Sequence, residues 1–203
     1  MDLVVISYFD VFPNEKELIA RLFECGMTRF HLRKPGWKSE QIAEFLTDLP
    51  REFYSSIVLH DHFDLVEKFG LGGIHFTCRT KSEINKWLKF DGSKSVSCHS
   101  LDELKMVNSS INYAFLSPVF PSISKKGYAG KLEFSQISSF LKSQKQHSII
   151  ALGGISEDKI EQVADLGFDG VAVLGTLWQM ELDFETILKR FIKISNTCQH
   201  IHL

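Results

Sequence analysis

Histidine and arginine side chains recur at the ends of short apolar runs in this 203-residue chain. These basic positions are His31 with Arg33, His60, His75 and His99. A guanidinium binds carboxylate or phosphate through paired N–H groups, and an imidazole can accept and return a proton near neutral pH. Basic groups that repeat in this way favour a site for an anionic ligand.

Two glycine turns are the second chemical signal. Gly153-Gly154 ends one late apolar run, and Gly175 ends the next. Glycine allows backbone N–H groups to approach a phosphate closely, and a helix N-terminus after the turn adds a favourable dipole. A tight turn without a ligand is the alternative, but ALGGI followed by DGVAVLG favours a phosphate site.

A polar loop between Ser117 and Gly130 is a third candidate. Ser122 and Ser124 offer hydroxyls there, and Lys125 offers an ammonium group. Such groups are suited to phosphate or diphosphate oxygens at a lid. A solvated basic loop is the alternative.

The spacing of His31 and Arg33 predicts that both side chains point into the fold. Side chains two apart on a strand lie on one side, and the flanking Phe30 and Leu32 would face the helices. A buried arginine needs an anionic partner. That partner is either a carboxylate such as Asp61 or a substrate.

His99 is the candidate general base. It lies two residues after Ser97 and directly before Ser100, which is the predicted N-cap of a helix. A neutral imidazole at such a position is suited to proton transfer. A structural role for a single histidine is the alternative.

Strands and helices must alternate along the chain to position these groups. Capping residues and glycine stops delimit eight helices, and the predicted caps include Asn14, Asp61 and Ser100. The predicted strands are residues 3–8, 29–33, 57–59, 73–76, 95–97, 113–116, 149–151 and 170–173. Eight βα units predict an α/β fold, a small parallel (β/α)8 TIM barrel formed as a single domain by residues 1–203. An open doubly wound sheet is the alternative.

Composition narrows the function classes. The net charge is -2, which argues against nucleic acid and anionic membranes as partners. No apolar run approaches the ~18 residues of a membrane span. The four cysteines are scattered, which indicates a reducing compartment. We therefore expect a cytoplasmic protein, with a homodimer possible.

Six stretches resemble the thiamine phosphate synthase and thiazole tautomerase superfamily along nearly the whole chain. They are FHLRKPG, IVLHDHFDLVEKFGLGGIHF, SVSCHSLDEL, YAFLSPVFPSISKKG, ALGGI and GFDGVAVLGTLW. The resemblance implies a small barrel enzyme that binds a small phosphorylated substrate, thiazole phosphate. The synthases join this substrate to hydroxymethylpyrimidine diphosphate and use magnesium.

The resemblance also assigns ligand contacts, with Asp61 as the first magnesium carboxylate. The matching positions are Arg33, Asp61, Ser97, Ser122, Ser124, Lys125 and Gly154. The candidate set for substrate and phosphate is completed by His31, His60, Gly153 and Gly175.

Departures from the synthase pattern decide between the branches. Synthases usually carry Gln-x-Arg-Glu-Lys on the second strand, but here Pro35 stands at the lysine position and Lys34 starts out on the other side. His60 replaces an asparagine, and Gly175 replaces a common serine. The second magnesium carboxylate should fall near Thr80, where none is present.

The departures favour a thiazole tautomerase, which needs no cofactor and uses His99 to move the proton that makes the ring aromatic. The first alternative is a thiamine phosphate synthase with magnesium on Asp61. The second, of another class, is a non-catalytic thiamine-phosphate-binding protein. A phosphate-barrel isomerase of sugar or tryptophan metabolism is the weakest alternative.

Overall fold

Eight parallel strands close into a barrel in the computed structural model, which describes residues 1–120, 133–143 and 145–201. The strands are β1 (Asp2–Ile6), β2 (Phe30–Leu32), β3 (Ile57–Leu59), β4 (Gly73–Phe76), β5 (Ser93–Cys98), β6 (Tyr113–Leu116), β7 (Ser148–Leu152) and β8 (Gly170–Val173). Each strand pairs with the next, and β8 pairs with β1. The predicted (β/α)8 barrel is confirmed, and the open sheet is wrong.

Helical segments follow every strand. The α-helices are α1 (Glu15–Glu24), α2 (Ser39–Thr47), α3 (Asp64–Phe69), α4 (Leu101–Lys105), α5 (Phe134–Ser143), α6 (Ile160–Leu166) and α7 (Phe184–His200). Short 3-10 helices cover Arg51–Ser56, Lys81–Trp87 and Glu157–Lys159. The connection after β4 therefore contains a 3-10 helix in place of a full α-helix, and no residue of that helix is buried.

The predicted helix caps are partly correct. Ser100 accepts a hydrogen bond from the Glu103 backbone N–H at 3.1 Å, as its spacing predicts. Asn14 precedes α1 in a left-handed conformation and makes no side-chain cap. The predicted cap by Asp61 is also wrong, because α3 begins only at Asp64.

The alternation of side chains along the strands separates two cores. Phe30 and Leu32 pack outward against the helices, which confirms the expected direction of β2. Inside the barrel, Val4, Ile150 and Ala172 form an apolar group on the β7–β8–β1 side. The β2–β6 side of the interior carries buried polar side chains instead, namely His31, His75, Ser95 and Tyr113.

The described ranges contain no helix with both the length and the hydropathy that a membrane span requires.

Candidate active site

Arg33 lies at the carboxyl end of β2, where its backbone is held by Ser7. The Ser7 hydroxyl accepts from the Arg33 N–H at 2.8 Å and donates to its carbonyl at 3.0 Å. Burial, then the nearby charge of Arg79, lowers the pKa of the Arg33 guanidinium, and Asp61 acts in the opposite direction. Arg33 takes part in no salt bridge within the described chain. Its cation is therefore available to an anionic ligand.

Asp61 is engaged by a cation of the protein itself. Nη2 of Arg79 lies 3.2 Å from Oδ2 of Asp61, beside a cleft of about 710 Å³ between Trp37 and Trp87. Magnesium prefers several oxygen ligands in a near-octahedral arrangement. A carboxylate that already binds a guanidinium does not fit the metal position that the resemblance assigns to Asp61.

Magnesium is therefore expected to bind weakly. Titration calorimetry with diphosphate present should give no micromolar site, because no carboxylate stands near Thr80 as a second ligand and Arg79 competes for the Asp61 oxygens. Arg79→Gln removes this competitor and should strengthen magnesium binding, whereas Lys86→Gln on the same cleft should not. Micromolar binding by the unaltered protein would contradict the assignment.

His99 is exposed at the end of β5 and has a defined tautomer. Its Nδ1 lies 2.8 Å from the carbonyl oxygen of Ser117, which follows β6. A carbonyl can only accept, so Nδ1 carries the hydrogen and donates it. Nε2 is then left with a lone pair, which is the form of imidazole that removes a proton.

The two glycine turns lie side by side at the carboxyl ends of β7 and β8. Gly153 and Gly154 have φ angles of +97° and +64°, in the left-handed region that favours glycine. A Cβ on Gly153 would lie 2.9 Å from Pro118, whereas one on Gly175 would meet nothing within 4 Å. Close packing thus explains Gly153, while Gly175 leaves space for a ligand.

Thr176 joins these turns, although no sequence motif indicated a role for it. Its hydroxyl donates to the Ile155 carbonyl, and Arg190 donates to the Thr176 carbonyl at 2.7 Å. The two turns are therefore held in a fixed relation, as a shared anion site requires.

Replacing Gly154 by alanine is expected to weaken phosphate binding about tenfold, because a Cβ crowds the N–H groups that would cradle the anion. Gly70→Ala is the matched control, since Gly70 has a similar φ of +67° at the end of α3, before β4. Calorimetry with thiazole phosphate and thermal unfolding of both variants separate ligand loss from backbone strain. Equal phosphate affinity in the two variants would contradict the phosphate site.

His31 and His60 do not lie open at the barrel mouth, which corrects their interpretation as direct substrate contacts. Their exposed fractions are 0% and 3%. Nδ1 of His31 lies 2.9 Å from Nε2 of His60, and Nε2 of His31 lies 2.7 Å from the Tyr113 hydroxyl. The inward direction predicted for His31 is correct, but it places this ring deep in the core.

His75 completes a buried histidine cluster with His31 and His60. Its Nδ1 and Nε2 each lie 2.8 Å from a serine hydroxyl, of Ser95 and Ser97 respectively. The rings of His60 and His75 stack 4.2 Å apart at 29°, so their lone pairs do not converge on one point. Although nitrogens of the three rings lie within 4.8 Å of one another, the cluster is arranged for hydrogen bonding rather than for a metal ion.

The cluster predicts loss of stability in mild acid. Burial is the first cause that lowers the pKa of all three histidines, that of His75 to about 3. Neighbouring imidazole and arginine charges add to it for His31 and His60, and the charges of Arg33 and Lys81 add to it for His75. As the pH falls, the histidines of the unfolded chain bind protons before those of the folded protein do. The free energy of unfolding is therefore highest above pH ~6.5 and decreases below it, by up to ~1.4 kcal/mol per pH unit per histidine. Urea unfolding between pH 7 and 5, above most carboxylate titrations, measures this slope. A flat profile would contradict it.

Lys34 turns away from the barrel mouth, as its strand position predicts. Its ammonium donates to Oε2 of Glu15 at 2.5 Å and to the Asp10 carbonyl at 2.6 Å. Both side chains of the pair are almost fully enclosed, with 0% of Lys34 and 4% of Glu15 exposed. Burial lowers the pKa of Lys34 and raises that of Glu15, while their pairing opposes both shifts.

Ser97 is partly exposed at the end of β5. Ser122, Ser124 and Lys125 lie outside the described residues.

The barrel is closed and has eight strands, and its carboxyl end carries an arginine, a histidine and two glycine turns. These features place the protein in the class of (β/α)8 barrels with an anion-binding mouth. The family described as thiamine monophosphate synthase matches residues 3–177. The chain belongs to this family.

Two curated relatives and one solved structure agree with this assignment. Thiamine-phosphate synthase of Staphylococcus haemolyticus is 26% identical over 183 residues, which cover 86% of each chain. The enzyme of the same name from Anoxybacillus flavithermus is 26% identical over 191 residues, covering 89% of this chain and 87% of that protein. The crystal structure of thiamine phosphate pyrophosphorylase from Bacteroides thetaiotaomicron is 32% identical, with a TM-score of 0.85 and 98% of each chain covered.

Proposed function

We propose that this protein is a tautomerase-type enzyme of thiamine biosynthesis that moves a proton on thiazole carboxylate phosphate and so makes the ring aromatic. The single observation that carries this proposal is the tautomer of His99. The bond from Nδ1 to the Ser117 carbonyl leaves Nε2 as an exposed base at the carboxyl end of the barrel. Family membership makes thiazole phosphate the natural substrate class.

In this proposal His99 carries out both halves of the reaction. Nε2 takes the proton from the substrate carbon, and the imidazolium that forms is stabilised by the Ser117 carbonyl at Nδ1. The same Nε2 then returns the proton to a second atom of the conjugated system, so no proton is gained or lost overall.

Anion contacts orient the substrate for this transfer. Its phosphate would lie against the turns at Gly154 and Gly175, and its carboxylate would pair with Arg33, which has no salt-bridge partner in the described ranges. The Asp61 carboxylate is paired with Arg79, and no step of the transfer requires a metal ion.

Thiamine phosphate synthase is the second candidate, because both curated relatives above carry that name. In that reaction a diphosphate leaves, and a cation must stabilise the charge on its oxygens. In that reaction Arg79, beside Asp61, would be one protein cation for such a role.

Two incubations separate the candidates. Thiazole carboxylate tautomer alone tests tautomerisation, and thiazole phosphate with hydroxymethylpyrimidine diphosphate and magnesium tests condensation. We expect turnover in the first and none in the second. Turnover only in the second would establish the synthase, and binding without turnover in either would favour a non-catalytic thiamine-phosphate-binding protein.

A further inference from the structure

Ser97 is the accessible end of a hydrogen-bond chain that is anchored inside the barrel. Ser95 donates to the Ile74 carbonyl at 3.4 Å. His75 bridges the two serines, with Nδ1 at 2.8 Å from the Ser95 hydroxyl and Nε2 at 2.8 Å from the Ser97 hydroxyl. Ser95 and His75 are fully buried, whereas Ser97 is partly exposed.

The anchor determines the direction of every bond in this chain. A hydroxyl has one hydrogen, and a carbonyl can only accept. We assign the single hydrogen of Ser95 to the Ile74 carbonyl, because that oxygen can only accept. With this assignment Ser95 accepts from Nδ1–H of His75.

His75 then has one bare nitrogen, because its ring is neutral. Burial, with the charges of Arg33 and Lys81, lowers the pKa of His75 to about 3, so it holds a single proton at neutral pH. That proton is on Nδ1, and Nε2 must accept the hydrogen of the Ser97 hydroxyl. Ser97 therefore presents only lone pairs to the mouth.

We propose that His75 is a positioning residue that makes Ser97 a hydrogen-bond acceptor, so that Ser97 selects an N–H or O–H donor on the ligand. This assignment narrows the ligand contact that the resemblance implies for Ser97 to a donor group of the ligand. Ionised phosphate and diphosphate oxygens carry only lone pairs and would face the lone pairs of Ser97. The inference rests on the proposed function only in treating this mouth as the substrate site.

Nitrogen NMR of protein labelled with ¹⁵N-histidine tests the tautomer without any substrate. We expect His75 to carry its hydrogen on Nδ1 and to have an unprotonated Nε2. Ser95→Ala removes the anchor and should shift the tautomer population, whereas Ser139→Ala, on the outer helix α5, should not. Hydrogen on Nε2 of His75 in the unaltered protein would overturn the proposal.

Calorimetry with inorganic diphosphate tests the consequence for ligands. Ser97→Ala should change its affinity less than about twofold, because no donor is lost, whereas Arg33→Met should lower it about tenfold or more. A tenfold loss in Ser97→Ala would mean that Ser97 donates to the anion, which would overturn the proposal even if thiazole turnover is observed. Conversely, absence of thiazole turnover would leave both the tautomer and this comparison intact.

Discussion

The His99→Ala variant is expected to lose about 10²–10⁴-fold in the rate of thiazole tautomerisation, the usual cost of removing a general base. Nε2 of His99 is the proposed proton acceptor, and alanine supplies no replacement. Thiazole phosphate should still bind, because the glycine turns and Arg33 are unchanged. Steady-state kinetics and calorimetry measure the two effects separately.

His200→Ala is the matched control, since His200 is an exposed histidine near the end of α7. Its rate should stay within about twofold of the unaltered enzyme, as expected for a surface change away from the site. Full activity in His99→Ala would show that another group removes the proton. Loss of thiazole phosphate binding in that variant would mean that His99 acts mainly in binding.

Lys34→Met is expected to lower the free energy of unfolding by about 3–5 kcal/mol, because it leaves the buried Glu15 carboxylate without its cation. One oxygen of Glu15 already lacks a hydrogen-bond partner in the described structure, so Lys34 supplies the charge compensation at this position. Urea unfolding at pH 7 measures the change. Adding Glu15→Gln should restore part of the lost stability by removing the unpaired charge.

An exposed ion pair with one member on α1, next to Glu15, gives the control. Lys16 pairs with Asp48, and 43% and 50% of these side chains are exposed. Lys16→Met should change the free energy of unfolding by at most about 1 kcal/mol, since water screens exposed pairs. Equal effects of the Lys16 and Lys34 substitutions would contradict the importance of burial.

The fold could be predicted because its strands are short apolar runs separated by turn and capping signals. For four strands, β3, β4, β6 and β8, the observed bounds are the same as the predicted ones. The errors concern polar residues with several possible partners. Asp61 is a residue type that often caps helices, but its carboxylate binds Arg79, which only the tertiary structure brings close.

The strand ends that carry the candidate site could be predicted, but how deeply each side chain lies inside the barrel could not. Alternation along β2 predicts that His31 points inward, yet it does not say whether the ring lies at the mouth or in the core. The Tyr113 hydroxyl lies 2.7 Å from Nε2 of His31, and this contact depends on how β2 and β6, which are far apart in the chain, face each other across the barrel. The contact of Thr176 could not be predicted either, because its partner Ile155 belongs to a different βα unit.

The 3-10 helix at Lys81–Trp87 has a consequence for local unfolding. None of its residues is fully buried, and its apolar contacts with the core come from the partly buried Ile84 and Trp87, so limited apolar surface opposes its separation from the barrel. Lys81 binds Glu103, and Arg79, just before the segment, binds Asp61, so two partly exposed ion pairs flank it. Amide hydrogens there should exchange through sub-global opening, while those of β5 and β6 exchange only when the whole barrel unfolds. The cleft beside Asp61 therefore borders a part of the barrel wall that is expected to open below the free energy of global unfolding.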